Sequence, residues 1–232
     1  LWETAADRGW IDSFFFSSPS RLGRLFLSMW RDGSLFLHVG ITLTETLVSF
    51  ALVVVIGLAV SLLLWLSDSV FQVLEPYLVI LNSLPKSALA PLLIVWLGAN
   101  SRTIIVAGMS VAIFGTILNL YTGFTETSRE KIRLIYTLHG TKKDALTKVV
   151  LPSTVPMIIS IMKVNIGLCL VGVVIGEFIG ARNGLGYLII YGSQVFQLDL
   201  VILSILILCL MAMLLYGGVT AAEKLYHRRQ HA

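Results

Sequence analysis

Long apolar runs alternate with short polar interruptions along most of this chain. From Thr46 to Ser67 there is no charged residue, and Leu47–Leu66 alone meets the roughly 20 residues a helix needs to cross a bilayer. Read in the same way, the pattern predicts membrane helices over residues 38–67, 74–97, 103–123, 153–180 and 200–223. The second is interrupted by Pro85 and Pro91 and carries Lys86; the third holds Asn119; the fourth holds Lys163, Asn165 and Glu177. Residues 1–37 have a different texture. Trp2, Trp10, Phe14–Phe16 and a Ser-Pro-Ser turn describe an aromatic interfacial layer, with a helix from Arg21 to Trp30 along the membrane.

The long polar break, residues 124–152, is patterned as well. Thr127 with Glu130 has capping-box spacing, and Ile132, Ile135, Tyr136 and His139 then fall on one face of a short helix that Gly140 breaks. Thr141 with Asp144 is a weaker start signal for a second short helix running to Leu151-Pro152. The expected product is a helix–Gly–helix elbow, which also fits an amphipathic connector lying on the membrane surface.

Composition and charge orient this pattern. The 232 residues are 56% apolar and 13% charged, far below the roughly 25% charged residues of soluble domains. Between Phe124 and Pro152 stand six basic residues, Arg129, Lys131, Arg133, Lys142, Lys143 and Lys148, against Glu126, Glu130 and Asp144. Loops of that sign stay cytoplasmic, so the elbow and the Lys224–Arg229 tail lie inside and residues 1–37 outside. The loop near Asp68 and Glu75 should also be inside, yet holds no base. A sixth helix upstream of residue 1, entering from the cytoplasm, is expected. The net charge of +4 follows from this topology and gives no reason to expect nucleic acid. Cys169 and Cys209 lie in apolar runs, which excludes a disulfide framework and a cysteine metal site.

Polar groups inside the spans are the candidates for function, because lipid does not tolerate them unless they face a cavity or a partner. Asn82, Pro85, Lys86, Asn119, Lys163, Asn165 and Glu177 are the candidate path residues. For Lys86, snorkelling or pairing with Glu177 or Glu45 is the alternative. Gly172, Gly176 and Gly180, four residues apart, mark a helix–helix contact. No phosphate-binding glycine loop, histidine ligand set or Ser/His/Asp constellation occurs, so catalysis finds no support.

Three stretches carry a family resemblance. Gly140 followed by Val149-Val150-Leu151-Pro152 resembles the second half of the EAA motif of ABC importer permeases, with Leu134-Ile135-Tyr136 in place of Glu-Ala-Ala. Pro85-Lys86-Ser87-Ala88-Leu89-Ala90-Pro91-Leu92 with Trp96-Leu97-Gly98 resembles a signature of the nitrate/taurine/sulfonate branch. Gly176-Glu177-Phe178-Ile179-Gly180-Ala181 with Gly184-Leu185-Gly186 resembles another. The resemblance implies an all-α helical bundle of the type I importer permease fold, in a bacterial inner membrane. It also implies a partner permease subunit forming a homodimer, two cytoplasmic ATPases that hold ATP and Mg, and an extracytoplasmic binding protein. This chain itself would bind no cofactor and would not be an enzyme. The elbow would be the coupling helix, with Ile135, Tyr136, Leu138, His139, Gly140, Thr141 and Lys142 toward the ATPase. The branch implies a small anion or organic sulfonate as substrate, with Lys86 as its positive group. A secondary transporter or channel using Lys86, Lys163 and Glu177 is the competing reading, though it would be expected to show repeated halves, which are not apparent.

Overall fold

The computed structural model describes residues 3, 4, 8 and 16–230. Trp2, Trp10 and Phe14 lie outside the described residues. Helix α1 (Pro19–Arg31) starts with Pro19 in its first turn, and the Ser18 side chain caps it by accepting from the Arg21 amide. Arg21 reaches across to Asp199, Nε to Oδ2 at 3.0 Å, and ties α1 to the last helix. Next come α2 (Ser34–Leu66), α3 (Asp68–Ser83), α4 (Lys86–Leu97) and α5 (Ser101–Thr125). The elbow consists of α6 (Arg129–Thr137), α7 (Lys142–Ala145) and a π-helical turn, Leu146–Val150. Helices α8 (Leu151–Gly180), α9 (Leu185–Gln194) and α10 (Leu198–Gln230) complete the chain.

In place of one span over 74–97, the chain forms α3 and α4 bent by 97°. Proline explains the position of the break. Leu84, just before Pro85, is extended with ψ 138°, the conformation that the following ring imposes, and a new helix starts at Lys86. Pro91, expected to break the segment a second time, sits inside α4. Because Ser101 lies beside Arg182 and Asn183 at the outer end, the bent pair still carries the chain across once. By length and apolar character the four long helices and this pair supply up to five crossings.

Buried apolar residues form three clusters stacked from the outer to the inner face. Leu22, Leu35, Leu185, Leu188 and Leu200 lie outermost; Val53, Ala112, Ile113, Ile117 and Cys169 lie in the middle. Trp65, Leu120, Phe124, Ala145, Leu146 and Val150 form the innermost, which carries the elbow. Helices α5 and α8 meet at backbone distance. A Cβ on Gly172 would stand 2.8 Å from the Gly108 Cα, and one on Gly176 would stand 3.3 Å from the Ala107 Cβ. Gly180, the third of the series, faces Ile94 of α4. Close approach of this kind gives dispersion contacts that lipid tails cannot match.

Candidate functional site: a cavity between membrane helices and a cytoplasmic elbow

A cavity of about 430 Å³ opens between α3, α5 and α8. Its polar wall consists of Asn82, Asn119 and Asn165 with Thr116 and Ser160, and no charged side chain lines it. Asn165 is 3% exposed, and its Nδ2 has no hydrogen-bond partner. These three amides, far apart in sequence, are the path candidates that the fold brings together.

The other path candidates go elsewhere, for identifiable reasons. Lys163 pairs with Glu223 of α10, which draws it away from the cavity. Pro85 is the hinge of the α3–α4 break. Lys86 donates from Nζ to the Leu81 carbonyl at 2.5 Å and lies 5.3 Å from the Phe114 ring centroid. It therefore makes an ion pair with neither Glu177 nor Glu45, and it does not line the cavity.

Glu177 is fully buried and holds the outer loop. Its Oε1 accepts from the Thr42 hydroxyl at 2.6 Å and its Oε2 from the Gly186 amide at 2.6 Å. Thr42 in turn accepts from the Leu185 amide at 2.8 Å, and His38 Nδ1 accepts from the Gly184 amide at 3.0 Å. Three side chains thus satisfy successive amides at the start of α9, where a carboxylate is favoured by the helix dipole. The glycines make room for it. Gly184 has φ 118°, and a Cβ there would stand 2.3 Å from Glu177 Oε1. The Gly-Leu-Gly spacing is therefore the footprint of a buried carboxylate. His38 and Thr42 were not among the sequence candidates. Their signal is the stripe His38, Thr42, Glu45 and Ser49, recurring at helical spacing along the buried face of α2. Glu45, 3% exposed, lines a smaller outer cavity together with Ser101.

The elbow differs from its sequence reading in three respects. The capping box forms at Thr141 and Asp144, with Thr141 N donating to Asp144 Oδ2 at 2.9 Å and Asp144 N to Thr141 Oγ1 at 3.3 Å. At the site that looked stronger, α6 begins one residue later than that spacing requires: Ser128 is the N-cap, no side chain caps it, and Thr127 is buried. The break after α6 is a Schellman closure. Gly140 N donates to Ile135 O at 2.9 Å and His139 N to Tyr136 O at 3.0 Å. His139 takes the left-handed position, φ 60°, whereas Gly140 is needed for close approach: a Cβ there would stand 2.8 Å from the Ile135 carbonyl oxygen. Finally, Ile135 turns inward with Ile132 onto the inner cluster. The outward face presents Leu134, Tyr136 and Leu138, with exposures of 59, 46 and 71%, beside the exposed His139 and Thr141.

Lys142 answers the question posed by the acidic inner loop. Its ammonium stands 3.8 Å from Asp68 and 5.5 Å from the Trp65 ring centroid. The elbow brings to the α2–α3 loop the positive charge that the loop itself lacks. Asp144, solvated at the elbow, has its carboxyl held well below the usual carboxylate range by the Thr141 side chain and backbone and then by Lys148.

Up to five crossings, a polar-walled cavity between them and a basic elbow hung from the inner cluster define a membrane transport subunit. The chain belongs to the family of binding-protein-dependent transport system inner membrane components, which it matches over residues 53–230. It is 30% identical to a probable ABC transporter permease protein of Haemophilus influenzae over 228 residues, covering 98% of this chain and 91% of that one. It is 29% identical to the formylaminopyrimidine transport permease protein ThiX of Halalkalibacterium halodurans, covering 82% of this chain and 76% of that one. With the taurine transport system permease protein TauC of Escherichia coli it shares 24%, covering 97% and 83%. In fold it is similar to a chain of the inward-facing MetNI methionine ABC transporter, with TM-score 0.71 and 20% identity over 80% of this chain and 92% of that one. The protein is thus an ABC importer permease of the type I fold, a multi-pass component of the inner membrane. The secondary-transporter reading falls with this finding, and two of its three proposed sites are engaged in side-chain bonds that hold the bundle together.

Proposed function

We propose that this chain forms one half of a substrate path and couples it to a cytoplasmic ATPase through the α6–α7 elbow. One observation carries the reading. The exposed face of Leu134, Tyr136 and Leu138 is backed by Ile132 and Ile135, which pack on the same inner cluster that Trp65, Leu120, Phe124 and Val150 build from α2, α5 and the π-helical turn, with Met157 and Ile161 of α8 against it. A push on the elbow is therefore transmitted as rigid-body movement to α5 and α8, which also wall the cavity. ATP and Mg belong to the partner ATPases, a second copy of the permease completes the path, and an extracytoplasmic binding protein delivers the solute at the outer loops. Similarity to permeases named for taurine, aliphatic sulfonates, nitrate and formylaminopyrimidine supports a small polar solute.

The test is the Gly140→Pro variant in the assembled importer. It removes the amide that closes the elbow and adds atoms against the Ile135 carbonyl. Solute uptake and the ATP hydrolysis stimulated by the loaded binding protein should both be lost while the permease remains in the membrane. Undiminished, still-stimulated hydrolysis would overturn the coupling role.

A further inference from the structure

We infer that the cavity between α3, α5 and α8 is a site for an uncharged, ring-sized solute that both donates and accepts hydrogen bonds, and that it is unsuited to an anion. The inference rests on the path assigned above and names what that path accepts. At about 430 Å³ the cavity lies in the range of small-molecule sites. Asn82, Asn119 and Asn165 supply amide donors and acceptors on three different helices, and Thr116 and Ser160 add hydroxyls. The remainder of the wall is aliphatic, including Val111, Ile161 and Leu168, which suits the faces of a flat ring.

Two observations separate a neutral ligand from an anion. No cation lines the wall: Lys163 is paired with Glu223, and Lys86 lies outside the lining with its ammonium on the Leu81 carbonyl. An anion there would leave water for a low-dielectric wall without a counter-charge, at a cost of several kcal/mol. The Asn165 Nδ2 is a buried donor without an acceptor. Such a group is costly when left empty, and a carbonyl or ring nitrogen on the solute would satisfy it. Lys86, expected as the positive group for a small anion, does not line this cavity.

The test reads the cavity's electrostatics with thiol reagents of matched size. In the assembled importer, with Cys169 and Cys209 replaced by serine, Asn119→Cys is modified by neutral hydroxyethyl methanethiosulfonate or by its sulfonate-bearing analogue. Both rates are normalised to those of 2-mercaptoethanol, an uncharged free thiol, in the same buffer. The neutral reagent should react at least about tenfold faster in the cavity. Equal rates, or faster reaction with the sulfonate, would overturn this inference and leave the path standing. Failure of both reagents at Asn119→Cys, with the same thiol labelled once the protein is unfolded, would overturn the path assignment and the inference together.

Discussion

At the outer end of the molecule the Glu177 carboxylate is enclosed by the Thr42 hydroxyl and the Gly186 amide, and the start of α9 is tied to α2 through Thr42 and His38. At the cytoplasmic end the elbow is closed by backbone bonds and one solvated capping box, and it leaves three large apolar side chains uncovered. Both ends solve the same problem, that of beginning and ending helices at the membrane boundary. The outer end does so with buried side-chain acceptors, so the loop is locked to the bundle. The inner end does so almost within its own chain segment, which frees its outward face for a partner. A polar group buried and fully bonded marks scaffold, whereas an apolar group left in water marks a contact yet to be made.

Removing the outer lock should have the largest effect on stability. Glu177→Ala leaves the Thr42 hydroxyl and the Gly186 amide buried without acceptors, at a cost of about 3 kcal/mol. Thermal unfolding of the detergent-solubilised protein should show a clearly lower midpoint, with Glu177→Gln intermediate. An unchanged midpoint for the alanine variant would mean that the carboxylate does not lock the loop.

The α5–α8 contact sharpens the comparison, because its glycines differ in surroundings. Gly172→Val would force side-chain atoms into Gly108 and Val111, at a cost of about 2 kcal/mol. Gly167, on the same helix, has no neighbour within 4 Å of a built Cβ, so Gly167→Ala should be neutral or slightly stabilising. A Gly172→Val variant as stable as Gly167→Ala would show that the interhelical contact does not require glycine.

Smaller effects are expected at the elbow. Thr141→Ala removes the cap of α7, worth about 1 kcal/mol locally, and should appear as faster amide exchange over residues 142–146 with little change in global unfolding. Asp144 is the other half of this box. Because its folded pKa is depressed, the stability it contributes is present above its unfolded value of about 4 and is lost as pH falls from there toward the lower folded value. Protection factors over the elbow, which correct for the base-catalysed intrinsic rate, should therefore be flat between about pH 6 and 8 and should fall only in acid. A fall in protection already within that range would place the box elsewhere.

Much of this was legible in the sequence, and the rest was hidden for physical reasons. The apolar runs located the crossings because lipid demands about 20 consecutive apolar residues, a strong local signal. The excess of lysine and arginine located the elbow. The order of the two capping signals was not legible, because spacing shows which residues can bond and not where the helix begins. Thr127 and Glu130 had the right separation, but α6 starts with Ser128 as its cap. Lys86 and Glu177 were both visible as charges within spans, yet their partners come from a neighbouring carbonyl in one case and from α2 and α9 in the other. The Gly184-Leu185-Gly186 turn was visible as a signature, and only the fold shows that its missing side chains leave room for a carboxylate. The neutrality of the cavity is a property of three asparagines on three helices, so no single stretch could display it.

The exposed elbow face, in contrast to the locked outer end, is the proposed seat of the ATPase. The most direct measurement is copurification of the ATPase with a Leu134→Asp, Leu138→Asp permease, alongside its thermal unfolding. Both positions are solvent-facing, so stability should change by no more than about 0.5 kcal/mol per site. The account predicts normal membrane abundance and a normal unfolding midpoint, with the ATPase lost from the purified complex and stimulated hydrolysis abolished. A full complement of ATPase with stimulated hydrolysis intact would contradict it.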